Sequence, residues 1–115
     1  MKLLVLGAGG RIGSAIVKDL MEIDSHEVTE VVAADISRER VARLAAEYDS
    51  AKLKLEQIDV ADRTKLVELF SGSDVVINST VPAGSVPVDV LKAALEARAN
   101  VIDLGAWPEE TEQSL

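Results

Sequence analysis

Four glycines near the N-terminus, Gly7, Gly9, Gly10 and Gly13, separate two differently patterned stretches of MKLLVLGAGGRIGSAIVKDL. Leu3, Leu4, Val5 and Leu6 before them are continuously apolar. After them Ile12, Ala15, Ile16 and Leu20 recur at helical spacing. That change of period reads as strand, turn and helix. Residues without a Cβ let the chain turn sharply, let a ligand approach the backbone and let helix pack on strand. The turn also gathers backbone N–H groups and the positive end of the helix dipole at one spot, which suits phosphate. The chemistry offered here is anion binding. Ser14 rather than lysine follows Gly13, so the ending of a nucleoside-triphosphate loop is missing and phosphoryl transfer is not expected.

The spacing is Gly7-x-x-Gly10-x-x-Gly13, with Gly9 as an addition; the tight Gly-x-Gly-x-x-Gly form would need glycine where Ile12 stands. Following a strand and opening a helix, Gly7 to Gly13, with Arg11 and Ile12 among them, are the expected dinucleotide contacts. Arg11 either faces a pyrophosphate or 2′-phosphate or is a solvated loop charge. A second position matches. Val28 to Ala34 (VTEVVAA) reads as strand two and finishes at Asp35, close to the ~20-residue offset at which an acid accepts the ribose hydroxyls. Asp35 could instead cap the helix that Ile36 and Ser37 open, but Ser37 would cap it equally well. A carboxylate there disfavours a 2′-phosphate and favours NAD. Arg38 and Arg40 offer guanidinium groups that bind a 2′-phosphate or stack on adenine, so NADP stands beside NAD.

These residues need a frame to hold them. Ser37–Tyr48 is amphipathic, with Val41, Leu44, Ala45 and Tyr48 on one face. Lys52–Asp59 alternates imperfectly, as an edge strand does. Asp62 caps a helix reaching Phe70, with Leu66, Leu69 and Phe70 inward. Asp74–Ser79 is a β-branched, buried strand. Ser85 and Pro87 start a helix whose inner face and end are marked by Leu91, Ala94, Leu95 and Arg98; Asn100–Leu104 is strand five, closing at Gly105. Helix one should run to about Ile23, before the turn-rich Asp24-Ser25-His26, where His26 reads as an exposed loop residue.

Alternation of strand and helix with short connections gives an α/β fold, a Rossmann-like doubly wound parallel sheet. Its five strands take the order 3-2-1-4-5, with helices on both faces. Ligands bind beyond the carboxyl ends of such strands, where the order reverses. Asp59 and Val60, after strand three, then lie against the adenine. Asn78 and Thr80, after strand four, either reach the second ribose and nicotinamide or form a satisfied turn.

Composition bounds the rest. At 115 residues the chain reads as one domain. With 12 Lys and Arg against 20 Asp and Glu, its formal charge is −8, which speaks against nucleic acid and anionic membrane as partners. The absence of cysteine removes thiolate catalysis, disulfides and zinc–thiolate sites; no metal site is expected. No apolar stretch approaches the ~20 residues of a membrane span, and no leader pattern precedes the first strand. A cytoplasmic location is expected.

The segments VLGAGGRIGSAIVKDL, VVAADISRERVARLA, QIDVAD, SDVVINSTVP and VLKAALEARANVIDLG together resemble the NAD(P)-binding domain of the saccharopine dehydrogenase-like family. The resemblance covers nearly the whole chain and is most specific from Asp74 to Gly105. It implies hydride transfer between a nicotinamide and a C–N bond of an amino-acid substrate. It also implies that Gly7, Gly9, Gly10 and Gly13 form the phosphate turn, Asp35 binds ribose, and Asp59-Val60 is the adenine loop. The GAGGRIG string itself is closer to dihydrodipicolinate reductase. A substrate domain follows the dinucleotide domain in the saccharopine family, and none is seen after Trp107 and the acidic stretch 109–112. The expected partner is therefore that missing domain or a second copy of the chain, with no catalytic residue assigned and the isolated chain inactive. A regulatory NAD(H)-sensing module of similar size is the alternative from another class.

Overall fold

Strand β1 (Lys2–Leu6) buries Leu3, Leu4, Val5 and Leu6, which requires packing on both of its faces. The chain supplies that cover with α1 (Arg11–Glu22), β2 (Glu30–Asp35), α2 (Arg38–Glu47), β3 (Leu53–Gln57), α3 (Arg63–Ser71), β4 (Val75–Asn78), α4 (Val88–Ala97) and β5 (Val101–Asp103). These are the elements of a computed structural model that describes residues 1–23, 26–80 and 87–103. The expected ends at Leu104 and Gly105, the helix start at Ser85, the turn at Asp24-Ser25, the run at Val81-Pro82, Trp107 and the acidic stretch all lie outside the described residues.

All strand pairs are parallel, in the order β3-β2-β1-β4-β5, as the alternating pattern predicts. Side chains alternate across the sheet and build two cores. Leu4, Leu6, Ala34 and Val76 meet Leu66 and Phe70 of α3 and Val90, Ala93 and Ala94 of α4. Val5, Val31, Ala33 and Leu53 meet Val17 of α1 and Leu44 of α2. Leu66 and Phe70 are buried as expected, each worth about 1.5–3 kcal/mol of apolar transfer. Ser37 and Asp62 cap α2 and α3 with their side chains, accepting from the N–H groups of Arg40 and Lys65. His26 is exposed.

Three expectations about helix faces need correction. In α1 Gly13 and Val17 are buried and Ile16 and Leu20 pack against the same core as expected, while Ile12 is 58% exposed and Ala15 is exposed. The cause is the start of the helix. Gly13 lies so close to the glycine turn that a Cβ on it would stand 2.0 Å from the Gly7 carbonyl oxygen. That contact fixes the helix rotation and turns Ile12 outward. In α4 the core takes Val90, Ala93 and Ala94, and Leu91 and Leu95 are 42% and 80% exposed. Small alanine side chains let α4 lie close to α3 over the shared core, so the larger leucines face away. In α2, Ala45 is exposed, and Val41 and Leu44 carry the burial.

Candidate functional site

The registers bring the strand ends to one level: Leu6 pairs with Ala34 on one side and with Asn78 on the other. The chain leaves β1 between them. Gly7 and Ala8 both donate their N–H groups to the Ala34 carbonyl, at 2.8 and 3.0 Å, and Gly10 N–H donates back to the Gly7 carbonyl at 3.0 Å. Gly7 turns the chain at φ +77°, a conformation open to residues without a Cβ. Gly10 then caps α1 without any side-chain hydrogen bond, and no acidic residue occupies the first turn. Helix N–H groups in that position have no intrahelical partner, and among the described residues no side chain caps them.

Beside this turn is a cleft of about 320 Å3, lined by Gly7, Gly10, Asp35, Ile36, Arg40, Ile58, Asp59, Val60, Ser79 and Thr80, with Leu6 and Ala34 as its floor. Asp35 organises one end. The residue is 6% exposed; its Oδ2 accepts from Gly9 N–H at 2.8 Å and Oδ1 from Ser37 N–H at 2.9 Å. Because Ser37 caps α2 with its own side chain, Asp35 is not needed for that task and instead ties the glycine turn to the end of β2. Asp59 closes a local turn through its Oδ1, which accepts from Ala61 N–H at 2.9 Å, and leaves Val60 and Ile58 on the cleft wall.

The predicted residues do not all meet here. Gly7, Gly10, Asp35, Ile36, Asp59, Val60 and Thr80 line the cleft. Gly9 and Gly13 shape it from behind, and Arg11 and Ile12 are exposed at the head of α1. Arg38 lines a separate depression with Gln57 and Lys65. Asn78 is wholly buried and does not line the cleft.

One residue that the sequence reading named beside Arg38, and one that it did not name as a contact, do important work. Arg40, rather than Arg38, reaches the cleft, and a Cβ on Gly9 would lie 2.4 Å from the Arg40 Cβ and 3.0 Å from Asp35 Oδ2. The surplus glycine was the signal: Gly9 exists because α2 crosses the turn there. Ser79 is the second. Its hydroxyl donates to the Leu6 carbonyl at 2.7 Å and its N–H to the same oxygen at 3.1 Å, fastening the end of β4 to the end of β1.

The arrangement presents open helix N–H groups, a carboxylate at the end of the neighbouring strand and an apolar wall. That set fits a dinucleotide: the first turn suits the pyrophosphate, Asp35 a ribose hydroxyl, and Ile36, Ile58 and Val60 a flat base. Among the described residues no cluster of His, Asp or Glu could hold a metal ion, and no helix is long and apolar enough to cross a membrane.

Residues 3–115 match the family model described as the saccharopine dehydrogenase NADP binding domain. Cinnamoyl-CoA reductase 1 of Oryza sativa subsp. japonica is 33% identical over 102 residues, covering 89% of this chain and 30% of that protein. Saccharopine dehydrogenase (L-Glu forming) from Saccharomyces cerevisiae superposes with a TM-score of 0.71 at 22% identity, covering 97% of this chain and 23% of that one. Uronate dehydrogenase from Agrobacterium tumefaciens, solved with NAD, superposes at 0.63 with 18% identity, covering 89% and 39%. The two structures show the shared fold. The chain thus spans less than a third of the plant relative's length and less than a quarter of the yeast enzyme's. By its sequence over nearly its full length, the chain belongs to the saccharopine dehydrogenase NADP-binding domain family.

Proposed function

We propose that this chain is the cofactor-holding part of an oxidoreductase, and that it presents NAD for hydride transfer to or from a C–N bond of an amino-acid substrate. The observation that carries the reading is the buried Asp35 carboxylate, pinned by Gly9 and Ser37 N–H beside an uncapped helix start. Each of its oxygens keeps a further lone pair with which to accept a ribose hydroxyl. A 2′-phosphate would instead meet that carboxylate at short range, which favours NAD, although the family model is named for NADP. Arg40 stands at the same end of the cleft, where it stacks on the base or neutralises Asp35.

In this reading the first-turn N–H groups of α1 hold the pyrophosphate, and Arg11 adds positive charge at its rim. Ile36, Ile58 and Val60 exclude water from the adenine. The nicotinamide, when bound, supplies or accepts the hydride. The described cleft wall contributes two carboxylates, one guanidinium and two hydroxyls, with no His, Lys or Tyr. The groups that bind the amino-acid substrate and move its proton would come from a substrate domain or a second subunit, so the 115-residue chain alone would not turn over.

Calorimetric titration with NAD, NADP and ADP-ribose tests this. NAD should bind about tenfold more tightly than NADP, and Asp35→Ala should weaken NAD about tenfold and narrow the ratio, as expected for a lost charge-assisted hydrogen bond. Tighter binding of NADP, undisturbed by Asp35→Ala, would overturn the choice of cofactor in favour of Arg40. Absence of binding of all three at millimolar ligand would overturn the reading as a whole.

A further inference from the structure

Asn78 ends β4 in full burial, paired in register with Leu6 of β1 and Asp103 of β5. Its Oδ1 accepts from Thr80 N–H at 3.2 Å and from Thr80 Oγ1 at 2.6 Å. An amide side chain can be turned either way, since its oxygen and nitrogen are nearly the same size. Here the backbone decides. The Thr80 N–H can only donate, so the Asn78 atom facing it must be the oxygen. Thr80 Oγ1 shares that oxygen, and its single proton is therefore spent on Asn78. The orientation has a visible cost: Asn78 Nδ2 is left buried with no hydrogen-bond partner among the described residues. Buried polar groups are rarely orphaned, so a residue held in this way marks a polarity that the site requires.

Thr80 lines the cleft beside Gly7 and Gly10, while Asn78 does not. With the proton directed inward, the hydroxyl turns only lone pairs towards a ligand. We propose that Thr80 is an acceptor-only contact for a hydroxyl of the nicotinamide-side ribose, and that Asn78 is the positioning residue that fixes this polarity. The inference rests on the dinucleotide reading above and deepens it. A phosphate oxygen, itself an acceptor, is turned away from Thr80 and towards the first-turn N–H groups of α1. Asp35 already serves the adenosine ribose at the other end of the cleft, which leaves the second ribose for Thr80.

The test uses the full 115-residue chain, titrated with ADP, which lacks the second ribose, with ADP-ribose, which has it, and with NAD. Thr80→Val removes the hydroxyl at nearly constant volume. ADP-ribose and NAD should then weaken about fivefold to tenfold, the worth of one hydrogen bond, with ADP unchanged. Thr80→Ser should restore both. Asn78→Leu should lower the preference for ADP-ribose over ADP about threefold, because the freed hydroxyl then offers its proton as readily as its lone pairs. Circular dichroism melts establish that each variant folds, and the Thr80→Val and Thr80→Ser pair carries the test if Asn78→Leu does not. Equal weakening of ADP would make Thr80 merely structural and overturn the proposal. A loss confined to NAD would move the contact to the carboxamide and overturn the ribose assignment. A wild-type preference in folded Asn78→Leu would overturn the positioning role. Failure of the unaltered chain to bind ADP, ADP-ribose and NAD alike would overturn the dinucleotide reading itself, and this inference with it.

Discussion

Gly9 and Arg40 approach one another only because one of them has no side chain. With 2.4 Å between a Cβ at Gly9 and the Cβ of Arg40, Gly9→Ala forces α2 away from the turn and pulls on Asp35, whose Oδ2 accepts from Gly9 N–H. We expect a loss of about 1–3 kcal/mol in urea denaturation, the usual cost of overpacking, together with weaker nucleotide binding. Arg40→Gly removes the opposing Cβ. The double variant should therefore be more stable than the two single losses predict, by about 1 kcal/mol or more; simple additivity would show that α2 yields freely. Gly13 differs, because its neighbour is backbone. A Cβ there would stand 2.0 Å from the Gly7 carbonyl oxygen and 2.7 Å from its carbon, and no second substitution can clear that. Gly13→Ala should cost at least the ~3 kcal/mol at the upper end of ordinary overpacking, measured by the same denaturation. Recovery of full stability in Gly13→Ala would mean that α1 is not anchored on the turn.

At the scale of elements, the end of β4 is latched to the end of β1 by Ser79, whose hydroxyl and N–H both reach the Leu6 carbonyl. Ser79→Ala removes one donor and leaves the other, so no carbonyl is orphaned. The expected cost is modest, about 0.5–1.5 kcal/mol, but amide exchange at Gly7 to Gly10 should quicken, because the turn loses its nearest clasp. Phe70→Ala, by contrast, empties the core between α3 and the sheet and should cost about 3–5 kcal/mol with little change in how tightly a folded chain binds ligand. The elements themselves were legible in the sequence. Continuous apolar runs at Leu3 to Leu6 and Val75 to Ile77 can only be buried strands when helical patterns flank them, and short connections then limit the order of the sheet. The helix faces were less legible. Periodicity reports that a helix has an apolar side, but the choice between Leu95 and Ala93 depends on how near the neighbouring helix α3 lies. The choice between Arg38 and Arg40 likewise depends on where α2 crosses the turn, and only Gly9 hinted at that.

For the molecule as a whole, a formal charge of −8 makes compactness work against self-repulsion. Raising salt from about 0.05 to 0.5 M shortens the Debye length severalfold and should raise the melting temperature at neutral pH. The same excess of acid appears locally at Tyr48, half-buried beside the C-terminal end of α2. Burial of its ring raises its pKa above the ordinary value near 10, and the carboxylates of Glu47, Glu22 and Asp19 raise it further. The folded chain thus holds the Tyr48 proton more tightly than the unfolded chain does. Its contribution to stability is fully present below pH ~10, where both states are protonated, and is lost as pH rises through the folded value. Tyr48→Phe carries no such proton, so the decline of the melting temperature above pH ~10 should be shallower in that variant. Salt should flatten the decline in the unaltered chain only in part, because it screens the three carboxylates and leaves the burial of the ring untouched. An identical alkaline decline in Tyr48→Phe would overturn the assignment of that loss to the Tyr48 proton.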